Sequence, residues 1–213
     1  MSKPDRIVAA AGKRFRYYGV GKTTMQEIAA DAGVAVGTLY LYFSNKDDLV
    51  VACADTFVER HRRQAATILA ADTPADEKLR KYILARFREV EDVRTSSRHA
   101  AEIARAVLRV KPDRIREEGM MMWQTACEIL KFGVERRIFE IADVEQDAKM
   151  LLYAITAFFP SALVEPVFVP TEEDLLEVVN WFIGVWESGC AAKKAPRVAG
   201  KRALRTRPRP RVS

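Results

Sequence analysis

Cysteine, glycine and proline are all scarce in this sequence. The three cysteines among its 213 residues, Cys53, Cys127 and Cys190, lie far apart in the chain. Their number and spacing argue against a disulfide framework and against a metal site. We expect no metal, and we expect no other cofactor. Ten glycines and nine prolines are too few for a collagen-like or low-complexity chain.

Long hydrophobic runs are also missing. The longest apolar stretches, such as residues 151–162, fall short of the roughly 20 residues that a helix needs to cross a bilayer. Near the N-terminus, basic residues interrupt the apolar ones at once, which is not the pattern of a signal peptide. We therefore expect a cytoplasmic protein with no membrane partner.

The sequence gives no sign of a catalytic site. Its two histidines, His61 and His99, lie far apart, and neither has a recognisable catalytic partner. We find no paired carboxylates and no combination of nucleophile and base, which most hydrolytic and transfer enzymes need. The chain is therefore not expected to be an enzyme.

Positive charge is concentrated at the two ends of the chain. The sequence has 35 Lys and Arg against 29 Asp and Glu, a net charge of +6. Residues 193–213 contain basic residues and no acidic ones, and residues 1–50 also have a basic excess, so the middle is acidic. This distribution is typical of a DNA-binding head and a basic tail. Whether the tail adds contacts to DNA phosphates or only keeps the protein in solution stays open.

The spacing of apolar residues predicts an all-α fold of about nine helices. Thr24 and Glu27 have the spacing of a capping box at the start of the second helix, while Gly19 and Gly33 end the first two. The predicted helices span residues 4–18, 24–33, 36–43, 46–71, 74–93, 97–110, 112–139, 144–164 and 171–188.

The second and third helices have the features of a helix-turn-helix. Only three or four residues connect them, and so short a joint makes two helices cross steeply. Gly33 can adopt the positive φ of the turn, and Ala29 is small where the helices come closest. Ile28, Val34 and Leu39 form the apolar wedge that fixes the angle, so the opposite face of the third helix is available to DNA. The alternative is a purely structural corner between two helices.

The stretch from Thr24 to Leu49 resembles the TetR family of bacterial transcription regulators. The matching positions are Thr24, Ile28, Ala29, Gly33, Val34, Gly37, Thr38, Leu39, Tyr40, Tyr42, Phe43, Lys46 and Leu49. The resemblance covers only about the first 50 residues. It implies a three-helix helix-turn-helix DNA-binding domain at residues 1–48 and a larger helical ligand-binding and dimerisation domain at residues 49–192. A disordered basic tail is predicted at residues 193–213.

The resemblance also implies which residues contact double-stranded operator DNA. The residues expected at phosphates are Thr24, Tyr40, Tyr42 and Lys46, and those expected at base edges or thymine methyl groups are Gln26, Gly37 and Thr38. The chain departs from the family at Ala35 and Val36, where a polar or basic residue is common. Val36 can offer only an apolar contact, so we expect fewer hydrogen bonds to bases and more reliance on DNA shape.

Two further sites in the larger domain follow from the resemblance. The predicted dimer interface consists of Ile155, Phe159, Val179, Phe182, Ile183 and Trp186. The predicted effector pocket consists of Phe87, Met121, Met122, Trp123 and Phe158. Both sets have open alternatives, because an amphipathic helix does not reveal whose core it faces, and Met and aromatic residues are often plain core.

The expected function is that of a homodimeric transcriptional regulator, most simply a repressor. It would bind a palindromic operator and be released by a small, apolar effector. The alternative is an architectural or partner-controlled DNA-binding protein without a small-molecule inducer.

Overall fold

The computed structural model describes residues 1–159, 163 and 169–189, and all regular secondary structure in these residues is helical. This confirms the predicted fold class. The nine α-helices of the described residues are α1 Lys3–Tyr18, α2 Met25–Asp31, α3 Val36–Tyr42, α4 Lys46–Ala70, α5 Ala75–Thr95, α6 Ala100–Val110, α7 Arg114–Glu135, α8 Val144–Ile155 and α9 Glu172–Glu187. The predicted tail at residues 193–213 lies outside the described residues.

The ends of the first helices follow from local chemistry. The Thr24 hydroxyl accepts a hydrogen bond from the Glu27 N–H, and the Glu27 carboxylate accepts one from the Thr24 N–H, so the predicted capping box is confirmed. Gly19 and Gly33 have φ values of 86° and 63°. A side chain would strain the backbone at both, which explains why glycine ends α1 and makes the turn after α2.

One apolar core holds α1 to α4 together, and α6 contributes to it. Its buried members include Ile28 and Ala29 from α2, Leu39 from α3 and Leu49 from α4, together with Ala106 from α6. The predicted wedge therefore faces inward. Because α6 belongs to the larger part of the chain, its packing joins that part directly to α1, α2 and α3, which we call the head.

A second apolar core lies among α5, α7, α8 and α9. It includes Leu79 and Tyr82 from α5, Ile129 from α7, Leu151 from α8 and Trp186 from α9. Long α4 runs from the first core to the second, with Leu49 in one and Ala65 in the other. A movement of α4 in the larger part is therefore expected to reach the head.

The buried Lys78 side chain caps the C-terminus of α4. Its ammonium group donates hydrogen bonds to the backbone carbonyls of Ile68, Leu69 and Ala71, and it lies 4.9 Å from the centroid of the Phe132 ring. Carbonyls at the end of a helix lack the regular N–H partners of the helix interior, and a positive charge is favourable at that end of the helix dipole. The arrangement fixes the end of α4 against α5 and α7.

Three helix boundaries differ by three or more residues from those predicted. Helix α7 ends at Glu135 and not at residue 139, because the chain reverses at Arg137, with φ 58°, and returns the Phe139 ring to Gly133. Helix α6 begins at Ala100 and not at residue 97, since the Ser97 hydroxyl donates to the Arg16 carbonyl.

Helix α8 is also shorter than the predicted span to residue 164. It ends at Ile155 and continues as a 3-10 turn over Thr156–Phe158. Most of the residues beyond this turn, up to residue 168, lie outside the described part of the chain.

Candidate nucleic-acid interface

Helix α3 has one face in the core and the opposite face in solvent. Leu39 is fully buried. With about 100° of rotation per residue, Gly37 and Leu41 lie on the side of the helix opposite Leu39. Leu41 is 83% exposed, and a β-carbon added at Gly37 would meet no atom within 4 Å. These two residues mark the middle of the surface that α3 offers to a partner, which we call the outward face.

The predicted DNA-contacting residues of α3 differ in how far they are exposed to solvent. Tyr40 and Tyr42 are exposed, and Thr38 is half-buried. Val36 is half-buried and packs against the head core, because it lies three residues before Leu39 and therefore near the same face. Its predicted place on the outward face is corrected to the edge of that face. The prediction omitted Leu41, although its position two residues after the buried Leu39 would have revealed it.

Thr24 and Gln26 lie at the exposed start of α2. The Thr24 hydroxyl also donates to the Glu27 carboxylate at 2.9 Å, so a phosphate would have to compete with Glu27 for this proton. The hydrogen bonds from the backbone and side chain of Thr24 hold the pKa of Glu27 below its ordinary value. The carboxylate therefore stays charged, and Gln26 presents its amide beside it.

Lys46, at the start of α4, binds main-chain carbonyl groups of the loop before α2. Its ammonium group donates to the carbonyl oxygen of Thr23 at 3.0 Å and to that of Gly21 at 3.4 Å. An ammonium group has three protons, so these two contacts leave one for a DNA phosphate. The predicted phosphate contact stays a prediction, and a second role in shaping the loop before α2 was not foreseen.

Arg14 fixes α2 against α1. Its Nε donates to the Asp31 carboxylate at 2.6 Å, and its Nη1 lies 3.2 Å from the Glu27 carboxylate. The hydrogen bond from Arg14 lowers the pKa of Asp31. Arg14 thus contacts acids near both ends of α2 and sets the orientation of the helix that precedes α3.

Several contacts join the head to α6. The Glu102 carboxylate accepts a hydrogen bond from the Gly21 N–H at 2.6 Å, and Arg109 donates two hydrogen bonds to the Asp47 carboxylate at 2.6 and 2.9 Å. The Arg109 contact lowers the pKa of Asp47. Together with the Ser97 contact described above, they place polar links at the loop before α2 and at the start of α4.

The predicted dimer residues divide into two groups. Ile155, Val179, Ile183 and Trp186 are at most 1% exposed, so they fill the core of a single chain and cannot form the surface that a partner contacts. For these four residues the prediction is corrected. Phe159 and Phe182 are half-buried and pack at the edge of that core. For these two the interface stays a prediction.

The exposed aromatic surface lies beside that core. Tyr153 on α8 and Trp181 on α9 are each 64% exposed, and Met150 is also exposed. The Trp181 ring stands edge-to-face against Phe182, with ring centroids 5.0 Å apart. We call Met150, Tyr153 and Trp181 the aromatic face.

The predicted pocket residues are spread over the larger core. Phe87 and Met122 are buried, while Trp123 and Phe158 are half-buried and pack against the core. The Trp123 indole N–H donates to the Glu145 carbonyl at 3.2 Å. Met121 alone among the five lines the cleft described next. The other four stay predictions.

A cleft of about 750 Å³ opens between α4 and α7. Charged side chains dominate its lining, and the apolar part comes from Val58, Met120 and Met121. Lys111 and Arg114, both in the lining, pair with Asp55 on α4 at 3.1 and 2.8 Å. The cleft therefore combines a small apolar wall with groups that bind charge.

A buried polar network lies behind the cleft. The His61 ring contacts the Glu89 carboxylate through Nδ1 and the Tyr82 hydroxyl through Nε2, both at 3.2 Å. Burial, followed by the charge of Arg86, lowers the pKa of His61. Arg86 donates to Glu118, a residue of the cleft lining, at 2.5 Å. His61 is therefore neutral at pH 7, with Nδ1 donating to Glu89 and Nε2 accepting from Tyr82.

The part of the chain that the structure describes lacks two other kinds of site. No group of three or more His, Cys, Asp or Glu side chains there could hold a metal ion. Each helix of these residues is too short or too polar to cross a membrane.

The short joint between α2 and α3 and the outward face of α3 have the geometry of a helix-turn-helix, a motif that places its second helix in the DNA major groove. Residues 7–53 match the family of bacterial regulatory proteins described as the tetR family. This match covers the helix-turn-helix head and not the larger helical part of the chain.

Curated relatives match about two fifths of the chain. It is 38% identical over 96 residues to the transcriptional regulator TtgR of Pseudomonas putida. This match covers 42% of this chain and 44% of TtgR. It is 30% identical over 90 residues to the transcriptional repressor KstR2 of Mycolicibacterium smegmatis, and this match also covers 42% of this chain and 44% of the relative. The matches thus span less than half the length of these relatives.

Solved structures extend the likeness to most of the fold. A transcriptional regulator from Cytophaga hutchinsonii has a TM-score of 0.71 at 20% identity, over 87% of this chain and 98% of that one. SmeT, the repressor of a multidrug efflux pump of Stenotrophomonas maltophilia, has a TM-score of 0.61 at 18% identity, over 87% and 90% of the two chains. At such low identity the likeness shows the fold alone.

Proposed function

We propose that this protein is a homodimeric repressor that binds a palindromic operator and is released by a small-molecule effector. The observation that carries the proposal is the outward face of α3, where Gly37, Tyr40 and Leu41 are exposed opposite the buried Leu39. A short helix held rigidly in this way, with none of the described residues covering its outer side, has the geometry of a recognition helix in the DNA major groove.

The aromatic face supports the dimer. Exposed Tyr153 and Trp181 lie on α8 and α9, which contact each other. Aromatic side chains exposed in this way are enriched at protein interfaces, because they bury much apolar area with little loss of conformational freedom. A two-fold pair of chains would present two α3 helices, which would read the half-sites of a palindrome if they lie roughly 34–36 Å apart.

The cleft between α4 and α7 supports an effector site. SmeT, a protein with a similar fold, has a solved structure as a complex with triclosan. In this chain Val58 and Met121 offer apolar contacts, while Lys111 and Arg114 offer positive charge. We therefore extend the expected apolar effector to an amphipathic one, whose apolar part contacts the methionines and whose polar part pairs with the charged lining.

The ion pairs around α6 connect this cleft to the head. Lys111 and Arg114 line the cleft and pair with Asp55 on α4, and Arg109 pairs with Asp47 at the start of the same helix. An effector that competes with Asp55 for these cations would change how α6 holds α4. The two heads would then move apart from the spacing that fits the operator, which is how differential binding shifts a conformational equilibrium.

The test is selection of DNA from a random pool by the purified protein, followed by a screen for ligands. We expect an enriched palindrome, and compounds that raise the melting temperature are expected to release the selected DNA. A pool without an enriched sequence would contradict the operator. An enriched palindrome that no stabilising compound releases would favour the partner-controlled alternative.

A further inference from the structure

Leu41 is an apolar side chain in the middle of a surface that is otherwise polar or open. It is 83% exposed and lies on α3 opposite Leu39, with Gly37 one turn before it. Tyr40 and Thr38 lie on its two sides. Covering apolar surface is favourable by roughly 25 cal/mol per Å², so a complex is stabilised when an apolar group of the partner covers this leucine.

We propose that Leu41 contacts the 5-methyl group of a thymine in each operator half-site and thereby selects a T·A pair at that position. The inference rests on the proposed function, since it needs α3 in the major groove. Leucine has no hydrogen-bond donor or acceptor in its side chain, so it cannot read the polar edges of the bases. The thymine methyl is the apolar group that base pairs present in the major groove.

Gly37 makes this contact sterically accessible. It lies beside Leu41 on the outward face, and the space where its β-carbon would be is open. Because glycine has no side chain, the backbone of α3 can come close to the base pairs at this point. A large side chain at position 37 would hold the helix away from the groove, and the short leucine side chain could then no longer reach a base.

The inference is tested by replacing single thymines of the selected operator with deoxyuridine. Deoxyuridine keeps the hydrogen-bonding edge of thymine and lacks only the methyl group. At one position of each half-site, we expect the substitution to weaken binding of the wild-type protein by about three- to fourfold, the value of one buried carbon group. Substitution in both half-sites should weaken binding by roughly the square of that factor.

The variant Leu41→Ala should bind thymine and deoxyuridine operators equally well at that position. Because Leu41 is exposed, this change should leave the melting temperature unaltered. Ile115→Ala is the matched control, since Ile115 is an exposed apolar residue on α7 and not on α3. It should retain the wild-type response to deoxyuridine.

Three results would overturn the inference. If an operator is selected but wild type and Leu41→Ala respond alike to every deoxyuridine substitution, Leu41 does not read a methyl group, and the proposed repressor function still stands. If the wild-type protein selects no sequence, both the inference and the proposed function fail. If Leu41→Ala instead changes the number of chains in the free protein, the leucine belongs to a contact between copies and the inference is again wrong.

Discussion

The carboxylate of Glu102, on α6, accepts a hydrogen bond from the backbone N–H of Gly21, 2.6 Å away in the loop before α2. The same carboxylate lies 3.2 Å from His99 Nδ1. A side chain of the larger part of the protein therefore holds the main chain of the head, close to the helix that precedes the recognition helix. Through this contact, a movement of α6 would be felt at the DNA-binding surface.

Replacing Glu102 with alanine should loosen this loop without unfolding the protein. A hydrogen bond of this kind contributes about 1 kcal/mol, so exchange of the Gly21 amide hydrogen with solvent should become several-fold faster. Hydrogen exchange followed by NMR measures it directly. Glu187→Ala, at an exposed acid on α9, is the control and should leave the Gly21 amide unchanged. Equal exchange rates in wild type and Glu102→Ala would show that the contact does not restrain the loop.

Lys46→Met should weaken DNA binding at all sequences alike. Methionine retains the apolar stem but removes the charge, so each subunit loses one phosphate contact. The slope of log affinity against log salt concentration should then fall by about 1 for each subunit. Titrations at several salt concentrations measure the slope, and Lys131→Met, an exposed lysine on α7, is the control. An unchanged slope would leave Lys46 with only its contacts to the carbonyls of Gly21 and Thr23.

His61 should make the protein less stable as the pH falls from 7.5 to 5.5. Burial lowers its pKa in the folded state below the ordinary value of 6.5. Below pH 6.5 the unfolded chain therefore binds a proton that the folded protein does not bind, and the free energy of unfolding should fall by up to about 1.4 kcal/mol per pH unit. Denaturant unfolding at the two pH values measures this change.

The control for this pH dependence is the second histidine. His61→Gln should reduce the fall in stability, while His99→Gln should retain most of it. Paired carboxylates such as Asp31 and Asp47 affect the stability at more acidic pH, because the ordinary pKa of an aspartate is 3.8 and their arginine partners lower this pKa further. If His61→Gln and wild type lose stability equally over this range, the buried histidine is not the cause.

Trp181→Glu should convert the proposed dimer into monomers. The tryptophan is 64% exposed in a single chain, so the change places a charge on the aromatic face and leaves the core intact. Analytical ultracentrifugation gives the mass, and circular dichroism should show unchanged helix content. Ile115→Glu introduces the same charge at an equally exposed residue of α7 and should keep the mass of wild type. A dimer that survives Trp181→Glu would place the interface elsewhere.

Features governed by local chemistry were predictable from the sequence. The capping box of Thr24, the positive φ values of Gly19 and Gly33 and the inward wedge of Leu39 each depend on a few neighbouring residues. The same rotation along α3 that buries Leu39 also exposes Leu41, so that residue could have been found from the sequence with the rules already applied to its neighbours.

Features governed by distant contacts could not be predicted in this way. The apolar stripe of α9 fits a partner contact or the chain's own core, because periodicity does not distinguish the two surfaces. Val179 and Trp186 face the core of their own chain. The early end of α7 depends on Phe139 packing against Gly133 and Trp186, which no local pattern reveals. The cleft likewise depends on how α4 and α7 come together.

The most direct test of the DNA-binding surface is the operator affinity of Gly37→Glu compared with that of Gly119→Glu. At both glycines an added β-carbon meets no atom within 4 Å, and both lie in helices, where glutamate is more favourable than glycine by roughly 0.5–1 kcal/mol. Both variants should therefore fold. Only Gly37→Glu places a negative charge on the outward face of α3, where repulsion from DNA should weaken binding by about a hundredfold or more. Operator affinity equal to that of Gly119→Glu would show that α3 does not face the DNA.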